Sequence, residues 1–241
     1  MEDYNEFEKI RAIFFDFDNT LVDFETNSKR ALDVLSKELY TYLIDNNLSL
    51  NISSSEINEI VTSISCKLDS EGVYDRTIWI EKILEKLGIS VNKEQIFEWV
   101  SLYWSIASDT KVFDDVQDTL DFLKKKGYKL GIITNSDGEG GSKSRRLENF
   151  PLIKYFDIIV IGGENNIKPK PSVQPFIVGC EKLSLSSDQC VMVGDDPVKD
   201  CLAAKKAGLN SILIDRQNKV KFAELYADLV IRNIKSLQDI F

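Results

Sequence analysis

Five short runs rich in Ile, Val, Leu and Phe punctuate the chain: Ile10 to Phe15, Lys129 to Ile133, Asp157 to Ile161, Cys190 to Val193 and Ser211 to Ile214. None alternates cleanly between polar and apolar residues, the pattern of strands buried on both faces. Between them apolar residues recur at helical spacing, as in Val116, Leu120 and Leu123, or Phe176, Ile177, Cys180 and Leu183. Strand and helix in alternation predict repeated βαβ units, hence an α/β fold with a doubly wound, Rossmann-like parallel sheet. The tail is expected to add an edge strand over Ala227 to Ile231 and a closing helix over Ser236 to Phe241.

From about Val22 to Ser108 no strand-like run is found, and four helical stripes follow one another. They are Leu32, Leu35, Leu39 and Leu43; Ile57, Ile60, Val61 and Ile64; Trp79, Ile80, Ile83, Leu84 and Leu87; and Ile96, Val100, Tyr103 and Ala107. The run Ser53-Ser54-Ser55 supplies an N-cap to the second. An all-helical block after the first strand predicts an inserted cap domain over 22–108 and an α/β catalytic core over 1–21 and 109–241. Trp79, Trp99 and Trp104 are assigned to the cap's own core by their spacing. Lys67 and Arg76 are candidates to meet an anionic substrate, with solvent-facing charge as the default.

Composition narrows the function. The 241 residues, 43% of them hydrophobic, suffice for a full core. A formal net charge of −9 opposes attraction to nucleic acid or anionic lipid. No stretch reaches the roughly 20 apolar residues of a membrane span, and the start Met1-Glu2-Asp3 is unlike a secretory signal, so a cytoplasmic location is expected. Cys66, Cys180, Cys190 and Cys201 form no C-x-x-C pair and read as small buried apolar residues. The chain has no histidine, which removes Ser-His-Asp triads and most catalytic zinc sites.

The first strand runs into Asp16-Phe17-Asp18-Asn19-Thr20. Two carboxylates at the end of a buried strand need partners; alone they are equally well read as a turn with an Asx cap. The other strand ends decide between the readings, because ligands of open parallel sheets bind outside the strands' carboxyl ends. The second strand leads into Thr134-Asn135-Ser136, the third towards Lys168-Pro169-Lys170-Pro171, and the fourth into Gly194-Asp195-Asp196 with Asp200 beyond. Four successive strands thus deliver polar groups to one edge.

This set resembles the haloacid dehalogenase (HAD) superfamily, whose phosphatases carry D-x-D-x-T, a Ser/Thr after strand two, a downstream Lys and G-D-x-x-x-x-D. The resemblance spans nearly the whole chain, the helical cap after the first motif included. Its detail is most similar to the branch containing N-acylneuraminate-9-phosphatase and related nucleotidases. The resemblance implies a phosphomonoester hydrolase acting on a small phosphorylated metabolite. Asp16 would attack phosphorus to form an aspartyl-phosphate, and Asp18 would serve as general acid and then base. It further implies Mg2+ held by the carboxylates of Asp16 and Asp195 and the backbone carbonyl of Asp18. Thr134 and the backbone near Asn135 would hold phosphoryl oxygens, with Lys170 neutralising charge. Lys170 is preferred to Lys168 by its spacing to Gly194, with Ser172 as N-cap and Pro175 in the first turn of the next helix. Asp200 either orients the metal shell or Lys170, or is simply a carboxylate at a helix start.

Other signals are set aside. Gly138-Glu139-Gly140-Gly141-Ser142-Lys143-Ser144 lacks the Gly-Lys-Ser/Thr succession of a P-loop and reads as a flexible surface loop. Lys143, Arg145 and Arg146 read as a solvated helix face. The competing functions are a haloacid dehalogenase, which needs no second Asp; a β-phosphoglucomutase-like transferase, which is expected to use a histidine; and a receiver-like phosphoacceptor domain, which is much shorter and uncapped.

Overall fold

In a computed structural model describing residues 7–48 and 52–241, the chain divides into two compact units. Positions 1–6 of the expected core and 49–51 of the expected cap lie outside the described residues. The first unit comprises Met1–Asp23, Lys111–Ser136 and Ser144–Phe241, and the second Phe24–Thr110 and Asp137–Lys143.

Strands β1 (Ala12–Phe15), β2 (Val22–Asp23), β3 (Lys111–Val112), β4 (Lys129–Asn135), β5 (Ile158–Gly162), β6 (Cys190–Gly194), β7 (Asn210–Ile214) and β8 (Leu229–Ile231) all belong to the first unit. Six of them form one sheet in the order β5-β4-β1-β6-β7-β8, with every neighbouring pair parallel. Side chains alternate faces along a strand, and here both faces are apolar. Ile13, Phe15, Ile132, Val191 and Val193 share one cluster with Val116, Leu120 and Leu123. Ala12, Phe14, Ile133 and Met192 share another with Phe176, Cys180, Ala203 and Ala204. Helices cover both sides, which is why the strands read as unbroken apolar runs; each fully buried Leu or Ile contributes about 1.5–3 kcal/mol.

In the second unit, helices α1 (Phe24–Asp45), α2 (Ser54–Ser70), α3 (Arg76–Leu87) and α4 (Lys93–Ala107) bury Leu35, Leu39, Ile57, Val61, Ile80, Ile83, Trp99 and Tyr103 in a common core. Their starts are written in the sequence. Ser53 and Glu56 form a reciprocal capping box, and Asp75 and Asn92 accept from the first-turn amides of α3 and α4. The first unit adds α5 (Val116–Lys125), α7 (Gln174–Lys182), α8 (Ala203–Lys206) and α9 (Leu237–Ile240), while α6 (Lys143–Glu148) follows the loop after β4. Among the described residues no helix is long and apolar enough to cross a membrane.

Several expectations are corrected. Val22–Asp23 is strand, pairing antiparallel with Lys111–Val112; two residues are too few to show a period. Cys66 is exposed, whereas the other three cysteines are buried. Helix α7 starts at Gln174, so Val173 rather than Ser172 occupies the cap position, although the Ser172 hydroxyl still accepts from the Gln174 N–H at 3.3 Å. Arg76 is buried inside the helical unit. Its guanidinium stacks 3.8 Å from the Trp79 ring centre and donates to the Tyr74 carbonyl and the Tyr103 hydroxyl. A planar, weakly hydrated cation tolerates such an aromatic cage. Lys67, by contrast, is solvent-facing.

The glycine-rich segment Asp137–Lys143 packs with the helical unit rather than lying loose on the surface. Lys143 pairs with Asp137 at 2.9 Å, both side chains buried, and the Glu139 N–H donates to the Asp75 carboxylate at 3.1 Å. Burial of that ion pair fixes a segment whose glycines alone suggested flexibility.

Candidate active site

Parallel strands bring their carboxyl ends to one edge, and the pairing register makes this literal. Phe15 stands opposite Ile132 of β4 and Val193 of β6, so Asp16, Thr134 and Asp195 follow within two residues of one level across three adjacent strands. The Asp16 N–H continues the ladder by donating to the Val193 carbonyl at 2.9 Å. Thr134 is buried at the end of β4.

Lys170 reaches this edge from the loop after β5. Its ammonium is buried and donates to Asp16 Oδ1 at 2.7 Å, Asp200 Oδ1 at 2.6 Å and the Ile133 carbonyl at 2.9 Å. Burial opposes the charge, but the two carboxylates outweigh it and raise the Lys170 pKa. Lys168 is exposed, and its N–H donates to Gln174. The Asn135 side chain fixes the Lys170 backbone from both sides: Oδ1 accepts from the Lys170 N–H at 2.8 Å and Nδ2 donates to its carbonyl at 3.0 Å. That amide is therefore spent on positioning Lys170. Gly162, opposite Asn135 in the β4–β5 register, has no room for a Cβ, which would stand 2.8 Å from both Asn135 Oδ1 and Pro169 Cα.

Asp200 sits in a π-helical turn, Pro197–Leu202, and both of its oxygens are engaged: Oδ1 by Lys170 and Oδ2 by the Asp196 N–H at 3.1 Å. Its carboxylate lies directly over Gly194, where an added Cβ would come within 2.2 Å of Oδ2. The glycine of the G-D pair is thus a condition for Asp200 to reach the strand end. Asp196 instead caps that turn, accepting from the Val198 and Lys199 amides at 2.9 and 2.8 Å. Asp195 accepts from the Thr20 hydroxyl at 3.4 Å.

Carboxylate oxygens of Asp16, Asp195 and Asp200 all lie within 4.8 Å of one another. Two of these three carboxylates, Asp16 and Asp200, pair with the single ammonium of Lys170, and negative charge is in excess. Burial, reinforced by repulsion from Asp16 and Asp200, drives the Asp195 carboxyl well above the usual carboxylate range. Burial also lifts Asp200 to about 7, against the opposing pull of Lys170. A hard cation with oxygen ligands suits such a donor set, and the residues present fit Mg2+.

Asp18 lies apart from this cluster in its partners. Its carboxylate is held by both terminal nitrogens of Arg146, with Nη1 on Oδ2 at 3.1 Å and Nη2 on Oδ1. Arg146 and Lys143 are buried, which corrects the expectation of a solvated face; only Arg145 of the three is exposed. A signal was present in the sequence: Lys143, Arg146, Leu147 and Phe150 recur at helical spacing, and the apolar pair marks that stripe as the inward one. Thr20, a motif position with no role assigned from sequence, is fully buried.

The chain matches the profile of the family described as haloacid dehalogenase-like hydrolase over residues 13–214. It is 31% identical to N-acylneuraminate-9-phosphatase of Mus musculus over 223 residues, covering 88% of this chain and 85% of that protein. It is 30% identical to phosphoglycolate phosphatase of Shigella dysenteriae serotype 1 over 224 residues, covering 86% and 82%. Among solved structures, a HAD phosphatase from Thermococcus onnurineus aligns over 96% of this chain and 97% of that one, with 26% identity and a TM-score of 0.65.

Proposed function

This chain belongs to the haloacid dehalogenase-like hydrolases and is a phosphatase; on that premise we propose that it hydrolyses a small phosphomonoester with Mg2+, through an aspartyl-phosphate on Asp16. The observation that carries the reading is the Asp16 carboxylate at a strand end, 2.7 Å from a buried lysine and grouped with Asp195 and Asp200. Asp16 and Asp195 would hold Mg2+ by their carboxylates, with the Asp18 backbone carbonyl as a third ligand and Asp200 behind. When bound, the ion screens these carboxylates from the incoming phosphate and draws charge from its oxygens.

In the first half-reaction Asp16 attacks phosphorus as the ester oxygen leaves, and Asp18 gives that oxygen a proton. In the second, water attacks the phosphorus of the aspartyl-phosphate, Asp18 takes a proton from it, and Asp16 departs as a free carboxylate. Lys170, already oriented by Asn135, offsets charge gathering on the phosphoryl group, which Thr134 and the backbone at Asn135 hold. A dehalogenase would give Asp18 no task, and the absence of histidine counts against a phosphomutase.

The relatives from Mus musculus and Shigella dysenteriae are named for N-acylneuraminate and phosphoglycolate, so phosphomonoesters of hydroxycarboxylic acids are the first compounds to try. With p-nitrophenyl phosphate, many turnovers per chain are expected in Mg2+, abolished by EDTA and by Asp16→Asn. Turnover undiminished in either condition would refute the mechanism, and one phosphate retained per chain would favour the receiver-like reading.

A further inference from the structure

Arg146 has no place in the chemistry above, yet it is buried and pairs with the proposed acid/base. We infer that Arg146 is a positioning residue for Asp18, holding its carboxylate at the angle from which a proton reaches the leaving-group oxygen. The inference rests on the assignment of Asp18 as acid/base.

Each Asp18 oxygen has its own guanidinium nitrogen. A single hydrogen bond leaves a carboxylate free to turn about its last side-chain torsion, whereas a planar fork on both oxygens fixes its plane. The fork is itself immobilised. Leu147 and Phe150, next along the chain, are buried in the main core cluster, and Phe150 packs edge-on against Phe17 with ring centres 5.2 Å apart. The Arg146 guanidinium carbon lies 5.5 Å from the Phe17 ring centre. Phe17 is the residue between the two aspartates, so one packed group of Phe150, Phe17 and Arg146 sets where Asp18 points.

The two aspartates thus take their cations from different elements, Asp16 from the loop after β5 and Asp18 from the segment after β4. Their tasks lie at opposite ends of the breaking bond, phosphorus for Asp16 and the ester oxygen for Asp18. Separate cations keep the carboxylates from sharing one site. Asp18 enters the first half-reaction as the carboxyl, with the protonated oxygen released from the fork and the other retaining its Arg146 contact as a pivot; that proton passes to the leaving oxygen as its bond to phosphorus breaks. The resulting carboxylate later receives a proton from the attacking water, which closes the cycle.

A residue acting through the acid is distinguished by leaving group. An alkoxide needs a proton to depart, whereas p-nitrophenolate leaves largely without one, and kcat/KM reports only steps up to phosphoenzyme formation. Arg146→Met should therefore lower kcat/KM for an alkyl phosphomonoester at least about tenfold more than for p-nitrophenyl phosphate, within the roughly 10²- to 10⁴-fold that acid/base catalysis supplies. Arg146→Lys should fall between wild type and Arg146→Met. The Asp18→Asn/Arg146→Met double variant should be no slower on the alkyl ester than Asp18→Asn, since the arginine then has nothing to position. Equal losses on both esters, no loss on either, or a double variant slower by the product of the single effects would overturn the inference. The phosphatase reading is tested separately by the wild-type protein and Asp16→Asn, whose outcomes do not depend on Arg146.

Discussion

Lys168 and Lys170 stand two positions apart, each before a proline, and only the second is enclosed, with hydrogen bonds to Asp16, Asp200 and the Ile133 carbonyl. Removing it leaves Asp16 and Asp200 without their shared cation and the transferring phosphoryl group without its counter-charge. Lys170→Ala is expected to lower kcat by about 10²-fold or more, the scale of losing one preorganised stabilising group, while Lys168→Ala stays within about twofold, as surface changes do. Equal effects in steady-state assays would show that the wrong lysine has been assigned. At this scale residue identity was legible but partnership was not. Spacing singled out Lys170, yet nothing local revealed that the Asn135 amide is consumed in holding its backbone, because the two meet only through the β4–β5 register. Gly194 was legible as part of a motif, and its physical reason, the Asp200 carboxylate lying over it, needed the fold.

Elements with strong periodicity were readable from sequence. The core strands are apolar throughout because both faces are covered, and the four helices of the second unit show stripes and N-terminal caps that local rules recognise. What escaped was short or depended on distant partners. The β2–β3 pairing involves two residues from each strand, separated in sequence by the entire helical insertion. The glycine-rich loop Gly138 to Ser144 and the basic residues Lys143 and Arg146 are hard to read for another reason: glycine and charge normally signal solvent. Here the buried Asp137 and the half-buried Asp18 offset the charges of Lys143 and Arg146. Burying a cation is costly unless it is paired, so a basic residue on an apolar stripe is itself a hint of an acidic partner. Followed through, that hint would have found Arg146.

For the molecule as a whole, the edge of the sheet concentrates negative charge on a chain that already carries a net −9. Without a cation, burial and mutual repulsion raise the Asp195 carboxyl well above its ordinary range and Asp200 to about 7, against roughly 3.9 for an unfolded Asp. Between those values the folded state binds more protons than the unfolded one. The contribution of Asp200 is therefore full below about pH 4 and is lost as pH rises through 7, and that of Asp195 is likewise lost as pH rises through its raised value. Asp157 and Asp215, lowered in the folded state, act in the opposite sense, but only in acid below their ordinary value of 3.8. With no histidine in the chain, few other groups titrate in between. In EDTA the melting temperature should thus fall from pH 5.5 to pH 8, and the rise produced by Mg2+ should be larger at pH 8, where protons no longer compete for the carboxylates. A Mg2+ increment that shrinks with rising pH would contradict this charge balance. The central claim, that one carboxylate carries the phosphoryl group between two half-reactions, is tested by quenching the enzyme during turnover, reducing acyl-phosphates with borohydride and sequencing peptides by mass spectrometry. Residue 16 converted to homoserine is the expected result; an unmodified Asp16, or reduction at another aspartate, would contradict the account.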